Sequence, residues 1–177
     1  SSANFSLGNT SGSVASVSLG AGLAQTVKVS GAVAGEVFTL VLDHAAVIVG
    51  TVSFSTPKTF TSGGMTLTIN AGSGGVNLTV ANNVAYDTNG GSTDIAKVLN
   101  DLINASALAG GVVAGKDSSG NITLKSIAIG STASITVSGS GSGSKATQLF
   151  GSSSVSASGS TDYYSYHNAT GTVVDTV

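Results

Sequence analysis

One change of hydrophobic period limits what this chain can fold into. From Gln25 onward, apolar and hydroxyl residues alternate through 26–30 (TVKVS), 36–42 (EVFTLVL), 46–54 (AVIVGTVSF), 65–69 (MTLTI) and 76–80 (VNLTV). A period of two, rich in Val, Ile and Thr, is the mark of half-buried strands. Then Ile95, Val98, Leu99, Leu102 and Ile103 fall at i, i+3, i+4, i+7 and i+8, a stripe along one face of a helix. Ser92 or Thr93 is placed to cap its amino end, Asp94 suits the positive end of the helix dipole, and Gly110-Gly111 stop it. The spacing predicts one helix over 93–108, with Lys97, Asn100, Asp101 and Asn104 on its polar face. Strand alternation returns in 121–129 (NITLKSIAI) and 134–138 (SITVS). The expected fold is a β-rich α+β arrangement: antiparallel strands with one main helix packed on a sheet.

The connections follow from turn chemistry. Asp43-His44 separates two apolar runs and reads as a hairpin, and Ala71–Gly75 reads as another. Lys116–Gly120 has the composition of a turn, Gly139–Ser144 (GSGSGS) that of a flexible loop, and Pro57 marks a turn or edge. Residues 1–24 read as irregular or edge structure, 146–150 (ATQLF) returns to apolar spacing, and 172–177 reads as a closing strand. Three segments are expected: a β-rich lobe over 1–60, a β-β-α-β-β-β unit over 61–151, and a return segment over 152–177 that completes the first lobe. The boundary between lobes is expected near 58–64.

Composition narrows the function classes. Ser (30), Thr (20) and Gly (25) supply 75 of 177 residues, and only 8% are charged, against about 25% in an average domain. Six Lys, no Arg and eight Asp+Glu leave a net charge of −2, which argues against nucleic acid and anionic membrane surfaces as partners. The most apolar stretch, 33–54, is broken by Glu36, Asp43 and His44, so no bilayer span is expected. With no Cys, disulfides, thiolate metal sites and cysteine nucleophiles are excluded together. Two His and one Glu leave little for acid–base chemistry. A Cys-free, Arg-free chain rich in hydroxyls suits an exported protein. The opening SSANFSLGNTSG has no Met, basic start or apolar core, so the chain reads as an excised piece of a larger one.

Several motifs invite chemical readings, each with a plainer one beside it. Asp43-His44 pairs an acid with an imidazole, but no G-x-S-x-G elbow accompanies it and a turn pair is expected. Asp87–Asp94 (DTNGGSTD) has D-x-N-G spacing like a calcium loop without the closing bidentate Glu, and reads as a turn plus helix cap. Tyr163–His167 (YYSYH) is the sole aromatic cluster, suited to an edge packing patch or to stacking on a sugar. Asn-x-Ser/Thr sequons stand at Asn4, Asn9, Asn77, Asn104, Asn121 and Asn168. Lys116, Lys125 and Lys145 read as separate solvated charges, and Gly139–Ser144 lacks the G-K-[ST] of a phosphate loop. No catalytic, cofactor-binding or metal-binding residue is assigned, no cofactor is expected, and the chain is not expected to be an enzyme.

The wording between Gly64 and Gly151 is more specific than its order of elements. A T-L-T-I strand precedes a helix reading STDIAKVLNDLINA; GGVVAGKDSSGNITLKS, STASITVS and KATQLFG follow. This resembles the flagellin internal motif of the outer, variable regions of bacterial flagellins, shared by hook-associated proteins. There, a helix ending I-N-A leads to a strand, a D-x-x-G turn, an L-T-L-like strand, an S-I-T-V strand and an Ala-x-x-Leu-Gly-like tail. The match covers about half of the chain, and its tail departs from the pattern at Leu149-Phe150-Gly151. The resemblance implies an outer domain of the flagellar filament: structural, extracellular and surface-exposed, touching neighbouring flagellin subunits or outer domains and carrying glycans on Ser or Thr. The other reading kept open is a binding module of a secreted adhesin or surface-layer protein, using the Tyr163–His167 patch or a calcium loop.

Overall fold

The computed structural model describes residues 2–6, 15–17, 26–30, 37–61, 63–140, 143–167 and 172–176. In chain order the elements are β1 (Ser2–Ser6), β2 (Ala15–Val17), β3 (Thr26–Ser30), β4 (Val37–Ser53), β5 (Lys58–Thr59), β6 (Thr66–Asn70), β7 (Gly75–Thr79) and β8 (Ala85–Tyr86). They continue with α1 (Ile95–Asn104), β9 (Val112–Lys116), β10 (Asn121–Ile129), β11 (Ser134–Ser138), α2 (Lys145–Phe150), β12 (Ser154–Ser158), β13 (Ser160–His167) and β14 (Thr172–Thr176). The chain is β-rich with few helices, as the alternation predicts.

Two compact units divide it: Ser1–His44 with Ser160–Val177, and Ala45–Gly159. These limits differ from the expected 1–60, 61–151 and 152–177. Residues 45–60 carry Ile48, Phe54 and Phe60 into the core of the second unit, and β12 pairs along β11 within that same unit. Strand β4 crosses the limit because Asp43-His44 is not a hairpin. Neither residue is a turn former of the Asn-Gly kind, and β-branched residues on both sides favour extension. The pair sits mid-strand, facing Thr161 and Ser160 of β13.

In the first unit, β3 lies between β1 and β14, and the first half of β4 lies between β2 and β13. The β1–β3 and β2–β4 pairings are parallel, a departure from the all-antiparallel expectation.

In the second unit, β10 pairs antiparallel with the later half of β4 and with β9. A four-stranded antiparallel sheet runs β12–β11–β6–β7, and β5 with β8 forms a short ribbon. Burial alternates along β6, β10 and β11, sending Leu67, Ile69, Ile122, Leu124, Ile135 and Val137 inward. Helix α1 buries Ile95, Leu99 and Ile103 in the same core, with Val98 and Leu102 half-buried beside them. The three buried side chains contribute about 1.5–3 kcal/mol each, so this helix–sheet contact is a principal source of stability.

Helix α1 is shorter than the predicted 93–108. Asp94, not Ser92 or Thr93, is the cap. At the other end the helix stops six residues before Gly110. There the Ser106 hydroxyl donates to the Ile103 carbonyl and accepts from the Leu108 amide, closing a turn that tucks Leu108 into the core. A second helix, α2, replaces the expected apolar segment. Ser144 caps it, accepting from the Thr147 amide, and Gly151 ends it at φ +83°. Only glycine takes that left-handed cap without penalty, and a Cβ there would also meet Thr51 Oγ1 at 2.0 Å.

Candidate functional site

The densest polar constellation surrounds the amino end of α1. Asp94 Oδ1 accepts from the Ala96 amide at 2.9 Å and the Lys97 amide at 3.2 Å, while Oδ2 accepts from the Gly90 amide at 2.8 Å. Lys116 Nζ stands 3.7 Å from Oδ2 and donates to the Thr88 carbonyl. Burial alone would raise the Asp94 carboxyl, but the Lys97, Gly90 and Ala96 amides and the Lys116 charge outweigh it and hold the group below the ordinary aspartate range. Asp87 is engaged locally too: Oδ1 accepts from the Asn89 amide and Oδ2 from the Asn89 side chain. The D-x-N-G stretch is thus a turn plus a helix cap in which Lys116 is the cation. Among the described residues, no three His, Asp or Glu side chains gather in a way that suits a metal ion.

The remaining candidates are placed as follows. His44 Nε2 lies 2.9 Å from Asp162 Oδ2, an exposed cross-strand pair, and Thr161 Oγ1 donates to Asp43 Oδ1 at 2.6 Å. The acid–imidazole pair is therefore His44–Asp162, with Asp43 turned to a hydroxyl. In the aromatic cluster, Tyr163 is 69% exposed, and the side chains of Tyr164–His167 lie outside the described part. Of the sequons, Asn77 and Asn104 are exposed. Asn121 is half-buried and donates through Nδ2 to Asp117 Oδ2 at 2.8 Å. Asn9 and Asn168 lie outside the described residues, as does the side chain of Asn4.

The expected D-S-S-G turn is present. Asp117 Oδ1 accepts from the Ser119 and Asn121 amides, and the Asn121 side-chain and backbone donors hold its carboxyl below the ordinary range. The turn docks on β4, with the Phe54 amide donating to the Gly120 carbonyl at 2.8 Å and Ser53 Oγ to the Ser119 carbonyl at 2.5 Å.

Two residues expected in solvent are structural. Asn100 leaves the polar face of α1 and reaches β9: Nδ2 donates to the Ala114 carbonyl and Oδ1 accepts from the Ala114 amide, both at 2.8 Å. Because β9 is the last strand of its sheet, this carboxamide stands where another strand would pair. No spacing rule flags it; a helical Asn with an edge strand ahead is the faint signal available in the sequence.

Lys145 is fully buried rather than solvated, because α2 turns its first residue over the ring of Phe60, with Nζ 4.6 Å from the centroid. Nζ donates to Asn82 Oδ1 at 2.5 Å and to Gln148 Oε1 at 3.1 Å. Beside this cluster lies an open groove of about 570 Å3 lined by Val52, Lys58–Thr61, Gly143, Thr147 and Gln148. Lys116 and Lys125 are respectively exposed and half-buried.

Among the described residues, no helix is long and apolar enough to cross a membrane. Compared with family models, with curated proteins and with solved structures, the chain matches none.

Proposed function

We propose that this chain is a structural, surface-exposed domain of a bacterial flagellar filament protein, an α+β module in which α1 packs on a sheet and the exterior shapes the filament surface and its contacts. The supporting observation is how the positions that carry the flagellin-internal-motif resemblance are used. Ile103 of the I-N-A helix end and Ile135 and Val137 of the S-I-T-V strand share one core within Ala45–Gly159, and Asp117 of the D-S-S-G turn is spent on the Ser119 and Asn121 amides. A module built this way acts through shape, and its hydroxyl-rich loops vary at little cost to the core. Neighbouring subunits or outer domains, and glycans on Ser or Thr, are the partners of this reading; it places the chain outside the cell, on the flagellum, and gives it no enzymatic role. Antibodies raised against the folded chain test it. Gold-labelled antibody decorating filaments along their length on cells of the source bacterium is the expected result, and label confined to the cell body or the medium overturns it.

The exposure of Tyr163 favours a second reading, a sugar- or protein-binding module of a secreted adhesin or surface-layer protein. Saturable glycan binding that Tyr163→Ala abolishes would establish that one.

A further inference from the structure

Asn89–Gly90 is the one Asn-Gly pair in the sequence, and both residues are exposed. Asparagine before glycine is the most labile carboxamide setting in a polypeptide, because the following backbone nitrogen reaches Cγ with no side chain in its way. The fold nevertheless asks for that glycine: Gly90 has φ +82°, a conformation that strains other residues. The connection between β8 and α1 therefore carries a reactive pair that it cannot freely exchange.

Hydrogen bonds hold both reacting groups. The Gly90 amide, whose nitrogen is the nucleophile in imide formation, donates to Asp94 Oδ2 at 2.8 Å. That nitrogen attacks only after losing its proton, and losing it beside a carboxylate brings two negative charges together. Asp94 is itself anchored: it is buried, and its Oδ1 accepts the Ala96 and Lys97 amides. On the carboxamide, Asn89 Nδ2 donates to Asp87 Oδ2 at 3.3 Å, while the Asn89 amide donates to Asp87 Oδ1 at 3.2 Å.

We propose that Asn89 is this chain's site of spontaneous imide formation and deamidation, and that Asp94 gates it by withholding the Gly90 nitrogen. The reaction proceeds when the Gly90–Asp94 bond opens locally and hydroxide takes the Gly90 amide proton. The nitrogen attacks Asn89 Cγ and a C–N bond forms. The Cγ–Nδ2 bond breaks, and Nδ2 leaves as ammonia with a proton from water. Water then opens the five-membered imide at either carbonyl, giving aspartate or isoaspartate at position 89. Isoaspartate routes the backbone through the side-chain carbon and lengthens the turn by one atom, which draws the Gly90 amide out of register with Asp94. The inference stands independently of the filament reading.

Peptide mapping by mass spectrometry of the folded full chain, incubated in mildly alkaline buffer, tests it. Asp94→Ser keeps a capping oxygen for α1 but takes the carboxylate away from Gly90. It should deamidate at Asn89 at least about tenfold faster than wild type, the rate equivalent of a hydrogen bond to a charged acceptor. Asp94→Asn, which also keeps a capping oxygen and loses the charge, should be accelerated too. Gly151→Ala weakens the same unit away from this turn and should leave the Asn89 rate close to that of wild type. Wild-type rates in both Asp94 variants overturn the proposal. So does an equal acceleration in Gly151→Ala, or a deamidation that maps to other asparagines and spares Asn89.

Discussion

Replacing Asp94 with Ala removes three things at once from the amino end of α1. An N-cap carboxylate is worth about 0.5–2 kcal/mol, and here one oxygen serves two amides, Ala96 and Lys97. The second oxygen holds the Gly90 amide at 2.8 Å, and a hydrogen bond to a charged acceptor contributes about 1.5–3 kcal/mol. The Lys116 contact at 3.7 Å adds less, because that ammonium is 44% exposed. Allowing for overlap, Asp94→Ala should destabilise the second unit by about 2–4 kcal/mol at neutral pH. Asp94→Asn, which retains a capping oxygen but presents an amide in place of one carboxylate oxygen, should cost about 1–2 kcal/mol.

Urea unfolding followed by the helical circular dichroism signal measures both, since α1 and α2 lie in the same unit. The pH dependence carries the sharper signature. The folded carboxyl sits below its unfolded value, so its contribution is fully present above the unfolded pKa of about 4 and is lost as pH falls through the folded value. The gap between wild type and Asp94→Ala should therefore narrow as the solution is taken from neutral into strong acid. A variant within about 0.5 kcal/mol of wild type, or a gap unchanged in acid, would refute the cap as a charged keystone.

Asn100→Ala should cost about 1–3 kcal/mol for its two hydrogen bonds and free the outer edge of β9; light scattering at rising concentration should show association that wild type lacks. Gly151→Ala should lose about 1–2 kcal/mol from the left-handed backbone alone and more from the clash with Thr51 Oγ1, with Thr51→Ala restoring part of the thermal midpoint. Leu99→Asp puts a carboxylate at a fully buried position and should abolish cooperative unfolding; a folded variant by circular dichroism would contradict the helix's role in the core. Residues 45–159 expressed alone should fold, because both cuts fall where His44 and Ser160 are directly paired; a collapsed amide spectrum by NMR would count against that autonomy.

Periodicity made the elements legible where local and tertiary preferences agree. The strands at Asn121–Ile129 and Ser134–Ser138, and the stripe from Ile95 to Ile103, follow directly from alternation and helical spacing. It failed where one preference was read in isolation. Asp43-His44 is polar enough to suggest a turn, yet a polar pair within a strand is stable when a partner strand presents Thr161 and Asp162 to it, and that partner lies 118 positions away. Helix α2 spans only six residues, too few for a period to register, and it is its Ser144 cap, its Gly151 stop and the burial of Leu149 and Phe150 that make it a helix. Lys145 and Asn100 depart from their expected solvated places for the same reason. Type and spacing describe what a side chain prefers, whereas their positions are set by Phe60 with Asn82 and by Ala114, each distant in sequence.

The same accounting explains why motifs that suggest ligand sites serve the backbone instead. Asp87, Asp94 and Asp117 each accept the amide two residues on, from Asn89, Ala96 and Ser119. Asn70 does so from Gly72, and the hydroxyls of Ser53, Ser106 and Ser152 from Ser55, Leu108 and Ser154. Short polar side chains that bond their own backbone fix a turn without needing a core. A chain rich in Gly has little intrinsic reason to hold any one loop conformation, because glycine loses the most backbone entropy on ordering. Distributing these local bonds over its connections supplies that reason, and it also occupies the carboxylates that a calcium loop would need. Asp87, Asp94 and Asp117 are thereby committed to the turns in which they stand.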